Sequence, residues 1–361
     1  MKNLTVYYDE QQAFKTELED LPVLTSADLA PNEVLIKVAV AGSNPKDWKH
    51  PLPKYFNNRL NQSDDCAGLV HAVGSAVKNF HVGERVAGFH EMDTMRGCYA
   101  EFAVCPEQTV FHLPDSISDE EAATIPLTAF TAAVGLYRNL DLPAPWSRSD
   151  AAAPSTGKVP LVVNAASSAV GAFAVKLAKL NARVGPIIAV AGSSSEFVRT
   201  LGVDAVIDYR SSTVSQDIKA ALNGTPLNYV FDAANSLSSV QYLSSALKPE
   251  TGRYVSTMPV KASPMYDPEG KMEKVLKDAK IWYEQIWVGD VHETKKAGGI
   301  WFGGAMSRTL EVALAEGKFS GHPYEVVDSG LKGVEAALIA LRDRKSGNAK
   351  FVTRIADTPG L

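Results

Sequence analysis

Two strand ends in this chain carry the residues best suited to chemistry. The first is the run Val159–Lys179, VPLVVNAASSAVGAFAVKLAK, which starts as an apolar strand and ends as a helix. A dinucleotide-binding turn would sit between the two. There, one glycine permits the tight turn, a second lets backbone approach a pyrophosphate, and a third lets helix and strand pack closely. Only Gly171 remains, at the packing position. Ala165, Ala166 and Ser167 are small enough for close approach, and Ser167 and Ser168 bring hydroxyls. The helix that follows through Ala169 and Val170 offers free N–H groups and the positive end of its dipole. Taken alone, the stretch reads equally well as an ordinary strand-helix connection.

The second strand end changes the balance. Enzymes that use NAD usually place Asp or Glu here, about 20 residues on, to bind the ribose 2′-hydroxyl. This strand ends AVAGSSSEF, with Gly192, Ser193, Ser194 and Ser195 in the acid's place. A carboxylate would repel a 2′-phosphate, whereas hydroxyls and backbone amides accept one. Arg199 lies one helical turn past Ser195, and Tyr209 follows in IDYR. The functional reading is an NADPH site; the alternative is a plain Gly-Ser loop.

Composition sets the frame for these sites. At 361 residues the chain exceeds one usual core, so two domains are expected. It is 45% hydrophobic and 21% charged, with a net charge of -5, and shows no basic excess of the kind nucleic acid demands. MKNLTVYYDE carries charge where a signal peptide needs an apolar run. The longest uncharged apolar stretch, IPLTAFTAAVGLY, is short of the roughly 20 residues a bilayer span needs. Cys66, Cys98 and Cys105 make no disulfide framework, so a cytoplasmic setting is expected.

The elements divide into two styles. EVLIKVAVAGS, AGLVHAVGSAV, ERVAGF and the alternating CYAEFAVC predict short strands of a barrel or sandwich. SDEEAATIPLTAFTAAVGLYRNL predicts a helix capped by Ser118 or Asp119. Asp141–Lys158, rich in Pro, Ala and Ser, predicts an exposed loop. From Val159 strands and helices alternate. The strands are VPLVVNA, GPIIAVAGS, AVIDY, NYVFDAA and GRYVSTM, with IWYEQIWVGDV as a candidate last strand. That alternation predicts a parallel sheet covered by helices on both faces.

Several ordered segments together resemble the medium-chain dehydrogenase/reductase superfamily. AGSNPKDWK resembles its Asn-Pro-x-Asp turn, and DDCAGLVHAVGSAVKNFHVGERVAGF its Asp-x-Ala-Gly-x-Val and Gly-Asp-Arg-Val segment. GCYAEFAV resembles Gly-x-Phe-Ala-Glu-Tyr, and EEAATIPLTAFTA, LGVDAVIDYR and GNAKFVTRI complete the order over nearly the whole chain. The resemblance implies an α/β protein: a GroES-like β-rich domain at 1–126 and 293–361, split by a Rossmann doubly wound parallel sheet domain at 127–292, with the active site in the cleft between them. Zinc enzymes of the superfamily bind their metal through a cysteine in the early turn and a Gly-His-Glu segment. Here those places read Ser43-Asn44-Pro45 and Ser63-Asp64-Asp65-Cys66, and no four-cysteine lobe exists, so no metal is expected. Cys66 reads as a small buried residue or a thiol in a substrate wall.

The chain is most similar to the zinc-independent quinone oxidoreductase and enoyl reductase branch, and within it to fungal trans-acting enoyl reductases of polyketide pathways. That implies NADPH-driven hydride delivery to the β-carbon of an α,β-unsaturated carbonyl, on a small or carrier-bound enoyl substrate, with a polyketide synthase as partner. A stand-alone quinone or enone reductase, and a non-catalytic NADPH-binding protein, remain open as alternatives. By the same resemblance Asn44 orients substrate or nicotinamide ribose, and Lys49 stabilises an enolate or relays a proton. Thr131, with Thr128 as rival, lies beside the nicotinamide. Lys350 reaches the cofactor from the last strand. Tyr55 is a candidate proton donor, and Asp47 reads as a turn residue. The sequence departs from the branch where a lysine is common in the 2′-phosphate loop: Glu196 and Phe197 stand there, leaving Arg199 as the nearest base.

Overall fold

A computed structural model describes residues 1–146, 158–263, 266–293 and 297–361. The expected loop at Asp141–Lys158 therefore lies, from 147 to 157, outside the described residues. The chain divides into two compact units, Met1–Leu127 with Gly289–Leu361, and Thr128–Val288.

The first unit is β-rich. β1 (Lys2–Tyr8) and β2 (Phe14–Asp20) pair as an antiparallel hairpin. β3 (Glu33–Gly42) is the hub, followed by α1 (Lys46–Lys49), β4 (Asp65–Val73), β5 (Arg85–Phe89), β6 (Phe102–Pro106), β7 (Val110–His112) and α2 (Asp119–Ala122). The tail of the chain returns to this unit later with two more strands. β3 is a long run of Val, Ile and Ala. It pairs antiparallel with β4 and β6, burying the face of Val34, Ile36, Val38 and Val40 while Lys37 on the other face stays exposed. Val34, Ile36, Val70, Val86, Tyr99 and Leu338 are among the residues that fill the core.

The expected single helix from Ser118 is broken. Ser118 does cap α2, its side chain accepting from the Glu121 N–H. The chain then turns through Thr124 and Ile125 and restarts as α3 (Pro126–Ala133), running into a π-helical stretch, Val134–Asn139. Proline has no N–H to donate to the preceding turn and its ring crowds it, whereas proline at a helix start is tolerated.

The second unit holds β8 (Val159–Asn164), α4 (Ala169–Lys179), β9 (Val184–Ala191), α5 (Ser195–Thr200) and β10 (Ala205–Asp208). Then come α6 (Val214–Ala221), β11 (Tyr229–Asp232), α7 (Leu237–Ala246), β12 (Arg253–Ser256), α8 (Lys271–Asp278) and β13 (Trp282–Gln285). The six strands pair in parallel in the order β10-β9-β8-β11-β12-β13. This is the doubly wound order: the chain winds outward from β8 one way, then returns to β8's other side. Ligands of such sheets bind where that direction reverses, beyond the carboxyl ends of the central strands. Those ends are Asn164 of β8 and Asp232 of β11. Val162, Ile188, Val190, Val214, Ile218, Leu243 and Leu276 join strands to α6, α7 and α8 in one core.

Beyond β13 the chain adds α9 (Gly299–Ala315), β14 (Tyr324–Val326), α10 (Val334–Arg342) and β15 (Lys350–Arg354) to the first unit. β15 pairs antiparallel with β3 and carries Lys350 at its start.

Candidate active site

In the second unit the turn after β8 is tight without glycine. Ala165 adopts φ 54°, a left-handed conformation that glycine usually takes. Ser168 is the N-cap of α4: its hydroxyl accepts the Gly171 N–H at 3.1 Å and donates to Ala165 O at 2.8 Å. That hydroxyl is therefore occupied, contrary to the expectation of a donor for a phosphate, and the Ser168 N–H is occupied as well, donating to Ala165 O at 3.0 Å. Gly171 is fixed by contact, since a Cβ there would lie 2.3 Å from Ala165 O. At the start of α4, the Ala169 and Val170 N–H groups fall in the first turn, where no helical carbonyl is available to them. The residues present thus fit a dinucleotide phosphate.

Sequence reading missed Asp232, at the end of β11. Its Oδ1 accepts from Asn164 Nδ2 at 2.8 Å, and its Oδ2 accepts from Ser239 Oγ and Tyr254 Oη at 2.8 and 2.6 Å. Tyr242 Oη donates to Asn164 Oδ1 at 2.8 Å, so the last residue of β8 is fixed on both amide atoms. Burial pushes the Tyr254 hydroxyl well above its usual value, so it remains a donor.

At the end of β9, the Tyr209 ring covers Gly192 so closely that a Cβ there would lie 2.5 Å from it. Ser193 is exposed, Ser194 caps α5 through its backbone alone, and Arg199 Nη1 reaches Ser195 Oγ at 3.3 Å. Tyr209, Arg199 and the serines thus gather around one strand end. Next to Tyr209, the Arg210 guanidinium holds Asp208 at 2.6 Å and keeps that carboxyl down at about 2.

In the first unit, α1 and its preceding turn sit on a buried charge network. Asn44 is 1% exposed. Its backbone N–H donates to Asp47 Oδ2 at 2.9 Å, and its Nδ2 donates to Asp65 Oδ2 at 2.7 Å. Lys350 Nζ donates to the same Asp65 oxygen at 2.5 Å and to Thr124 O at 3.2 Å. Asp65 Oδ1 accepts the Leu127 N–H at 2.5 Å. Lys46 Nζ lies 2.6 Å from Asp64 Oδ2 and 3.4 Å from Asp47 Oδ1, and donates to Gln62 O at 2.5 Å. Asp64 Oδ1 lies 3.0 Å from His90 Nδ1, and Tyr99 Oη lies 2.7 Å from Ser43 Oγ and 3.0 Å from Asp47 Oδ2. Asn44 Oδ1 is a buried acceptor without a hydrogen-bond donor; Asp47 Oδ1 and Asp64 Oδ2 also lack one but each faces the Lys46 ammonium.

Lys350, expected to reach the cofactor from the last strand, is 5% exposed and donates to Asp65. Lys49, at the end of α1, is partly buried; burial first, then the Arg344 charge, pulls its ammonium below the ordinary lysine value. Tyr55 lies near His50, with ring centroids 6.4 Å apart. Thr128 and Thr131 are both buried on α3. Cys66 is a core residue, not a surface thiol: its sulfur and those of Cys98 and Cys105 lie within 4.8 Å of one another, all buried. Burial pushes the Cys98 and Cys105 thiols up.

Residues 30–115 match the alcohol dehydrogenase GroES-like domain family, and residues 169–288 match the zinc-binding dehydrogenase family. The trans-enoyl reductase fsr4 of Gibberella fujikuroi is 38% identical over 311 residues, 84% of this chain and 86% of its own length. The chain belongs to the trans-enoyl reductase family. It is an oxidoreductase of the medium-chain dehydrogenase/reductase superfamily, and that family implies a nicotinamide cofactor. The trans-enoyl reductase caaB of Aspergillus niger is 30% identical over 90% of each chain. Among solved structures, the CurK enoyl reductase aligns with a TM-score of 0.74 at 23% identity, covering 97% of this chain and 98% of its own. That likeness shows the fold. Among the described residues, no helix is long and apolar enough to cross a membrane.

Asp47 gives this site a pH signature. Burial, reinforced by the Asp64 charge, pushes its carboxyl up to about 7 against the pull of Lys46. Between its unfolded value of 3.8 and about 7 the folded protein holds a proton that the unfolded chain releases, so stability falls as pH rises through that window. Partly buried His292, lowered to about 4, works in the opposite direction below about pH 6.5. Urea melts at about pH 5 and about pH 8 are expected to show wild type losing more stability on the way up than Asp47→Asn does. Equal losses in the two proteins would remove the buried titration from Asp47.

Proposed function

We propose that this chain is an NADPH-dependent, zinc-independent enoyl reductase that works in the cytosol, in trans, on a carrier-bound intermediate of a polyketide synthase. The observation that carries the cofactor choice is the end of β9. Gly192, Ser193 and Ser194 stand there in place of an acid, Tyr209 covers Gly192 and Arg199 reaches Ser195, while the neighbouring Asp208 carboxylate is held by Arg210. The substrate class rests on the names of the relatives: fsr4 and caaB are both trans-enoyl reductases.

A bound reduced nicotinamide supplies hydride to the electrophilic β-carbon of the enoyl group. The chain's own residues do the rest. Ser167, Ala169 and Val170 hold the pyrophosphate through backbone N–H groups at the start of α4, while the Ala166 and Ser168 N–H groups, bonded to Val190 O and Ala165 O, shape the turn. Ser193, Ser194, Ser195, Arg199 and Tyr209 receive the 2′-phosphate. Asn44 and Thr131 orient the nicotinamide end. In this reading Lys49 is the donor to the carbonyl oxygen, where negative charge grows as hydride arrives, and its lowered pKa eases proton return to the α-carbon. Tyr55 is the second candidate donor.

Two measurements test this. Isothermal titration should find NADPH bound far more tightly than NADH, and Ser193→Asp should erase the preference by setting a negative charge beside the 2′-phosphate. Equal affinities in wild type would rule out the 2′-phosphate site. Lys49→Ala should keep NADPH affinity while turnover of an enoyl thioester falls by about 10²–10³, the cost of losing one donor to a developing oxyanion. That turnover, in wild type, should survive exhaustive chelation. A Lys49→Ala variant within a fewfold of wild type would make Lys49 a bystander.

A further inference from the structure

The chain has three cysteines, and the fold brings all three together. Cys66 lies on β4 opposite Gly88 of β5, and Cys105 lies on β6 opposite Val34 of β3. Cys98 precedes β6, its backbone N–H donating to Ser63 O at 2.7 Å. All three are 0% exposed. Their sulfurs lie within 4.8 Å of one another, with Cys66 Sγ and Cys105 Sγ 3.9 Å apart. Gly88 makes room for them, since a Cβ there would lie 2.8 Å from Cys105 Sγ. A single buried cysteine is a small core hydrophobe. Three that converge from separate segments are also a set of soft ligands.

Geometry and charge decide what such a set can take. An atom bonded in a plane to three sulfurs at about 2.3 Å sets them about 4 Å apart. The triangle of sulfurs is already close to that size. A divalent ion on three thiolates would leave a net negative charge in an apolar core, which is costly. No carboxylate or imidazole among the described residues joins the group to complete a four-coordinate site. Trivalent arsenic meets neither obstacle. Arsenous acid, As(OH)₃, is small and neutral. Each thiol gives its proton to one departing hydroxyl, so three As–O bonds break, three As–S bonds form and three waters leave. Arsenic stays trivalent, the product carries no charge, and its lone pair takes the fourth position.

We propose that Cys66, Cys98 and Cys105 form a binding site for trivalent arsenic, held as a neutral tris-thiolate inside the β-rich unit. The ligand becomes part of the core, so it needs no exposed sulfur in the closed fold. It enters as the unit folds or opens, in the way that structural metals are captured during folding. The site lies wholly within the first unit and is independent of the cofactor.

The test uses arsenite and the full chain, kept reduced with a phosphine and refolded from urea in the presence of the ligand. Intact mass should show one arsenic gained and three hydrogens lost. X-ray absorption should place three sulfurs and no oxygen around the arsenic. The thermal midpoint should rise by several degrees, because a ligand that binds the folded chain alone stabilises it. A fall in the midpoint would mean that arsenic traps unfolded chain, and would overturn the proposal. So would an arsenic that keeps an oxygen, or no adduct after refolding. Cys66→Ala, Cys98→Ala and Cys105→Ala, each compared with its own arsenic-free midpoint, should all lose the rise. A rise of wild-type size in any one of them would remove that thiol from the site and contradict the three-sulfur assignment. Should a variant fail to fold, the sulfur count around arsenic in wild type still decides the matter.

Discussion

The ion pair between Asp65 and Lys350 is the constraint on which the first unit depends. It joins residues 285 positions apart, the start of β4 and the start of β15, with both side chains almost wholly out of water. Neither charge is tolerable there alone, since removing one partner of such a pair typically costs about 3–5 kcal/mol. The pair therefore ties the returning tail to the early strands. The same carboxylate also receives the Leu127 N–H and the Asn44 amide. One group thus closes the β-rich unit and sets the orientation of the turn that bears the candidate chemistry.

The second unit uses a buried carboxylate in a similar way, with hydroxyl and amide donors in place of a lysine. Asp232 gathers Asn164, Ser239 and Tyr254 at the carboxyl ends of β8 and β11. These bonds hold the last residue before the Ala165–Ser168 turn, where alanine takes the left-handed conformation that glycine would enter freely. A strained alanine persists where surrounding bonds over-determine it. That is how a turn with a single glycine keeps the geometry of a glycine-rich one.

The parallel sheet was legible because buried strands such as VPLVVN and GPIIAVA are continuous apolar runs separated by amphipathic helices. Gly171 was legible because its task is steric. The early-turn network was not. Lys46, Asp47, Asp64 and Asp65 are charged residues near a proline, a pattern that ordinarily marks a solvated loop, and only tertiary pairing takes them out of water. Lys350 stands out in the sequence within GNAKFV, but its partner Asp65 lies on a distant strand that local pattern cannot point to. The helix at Ser118 was placed by its cap and then over-extended through Pro126, where the break follows from the missing N–H.

These features converge on a chain whose buried framework fixes Asn44 and α1 in one unit and an anion-ready turn in the other. The central claim is hydride delivery from NADPH to an enoyl β-carbon. The most direct measurement is single-turnover reduction of an enoyl thioester with NADPH deuterated at nicotinamide C4 on the transferred face, read by mass spectrometry and NMR of the product. The account predicts a saturated thioester with one deuterium at the β-carbon and a solvent proton at the α-carbon. A saturated product without deuterium, deuterium at the carbonyl carbon of an alcohol, or no reduction at all would contradict it.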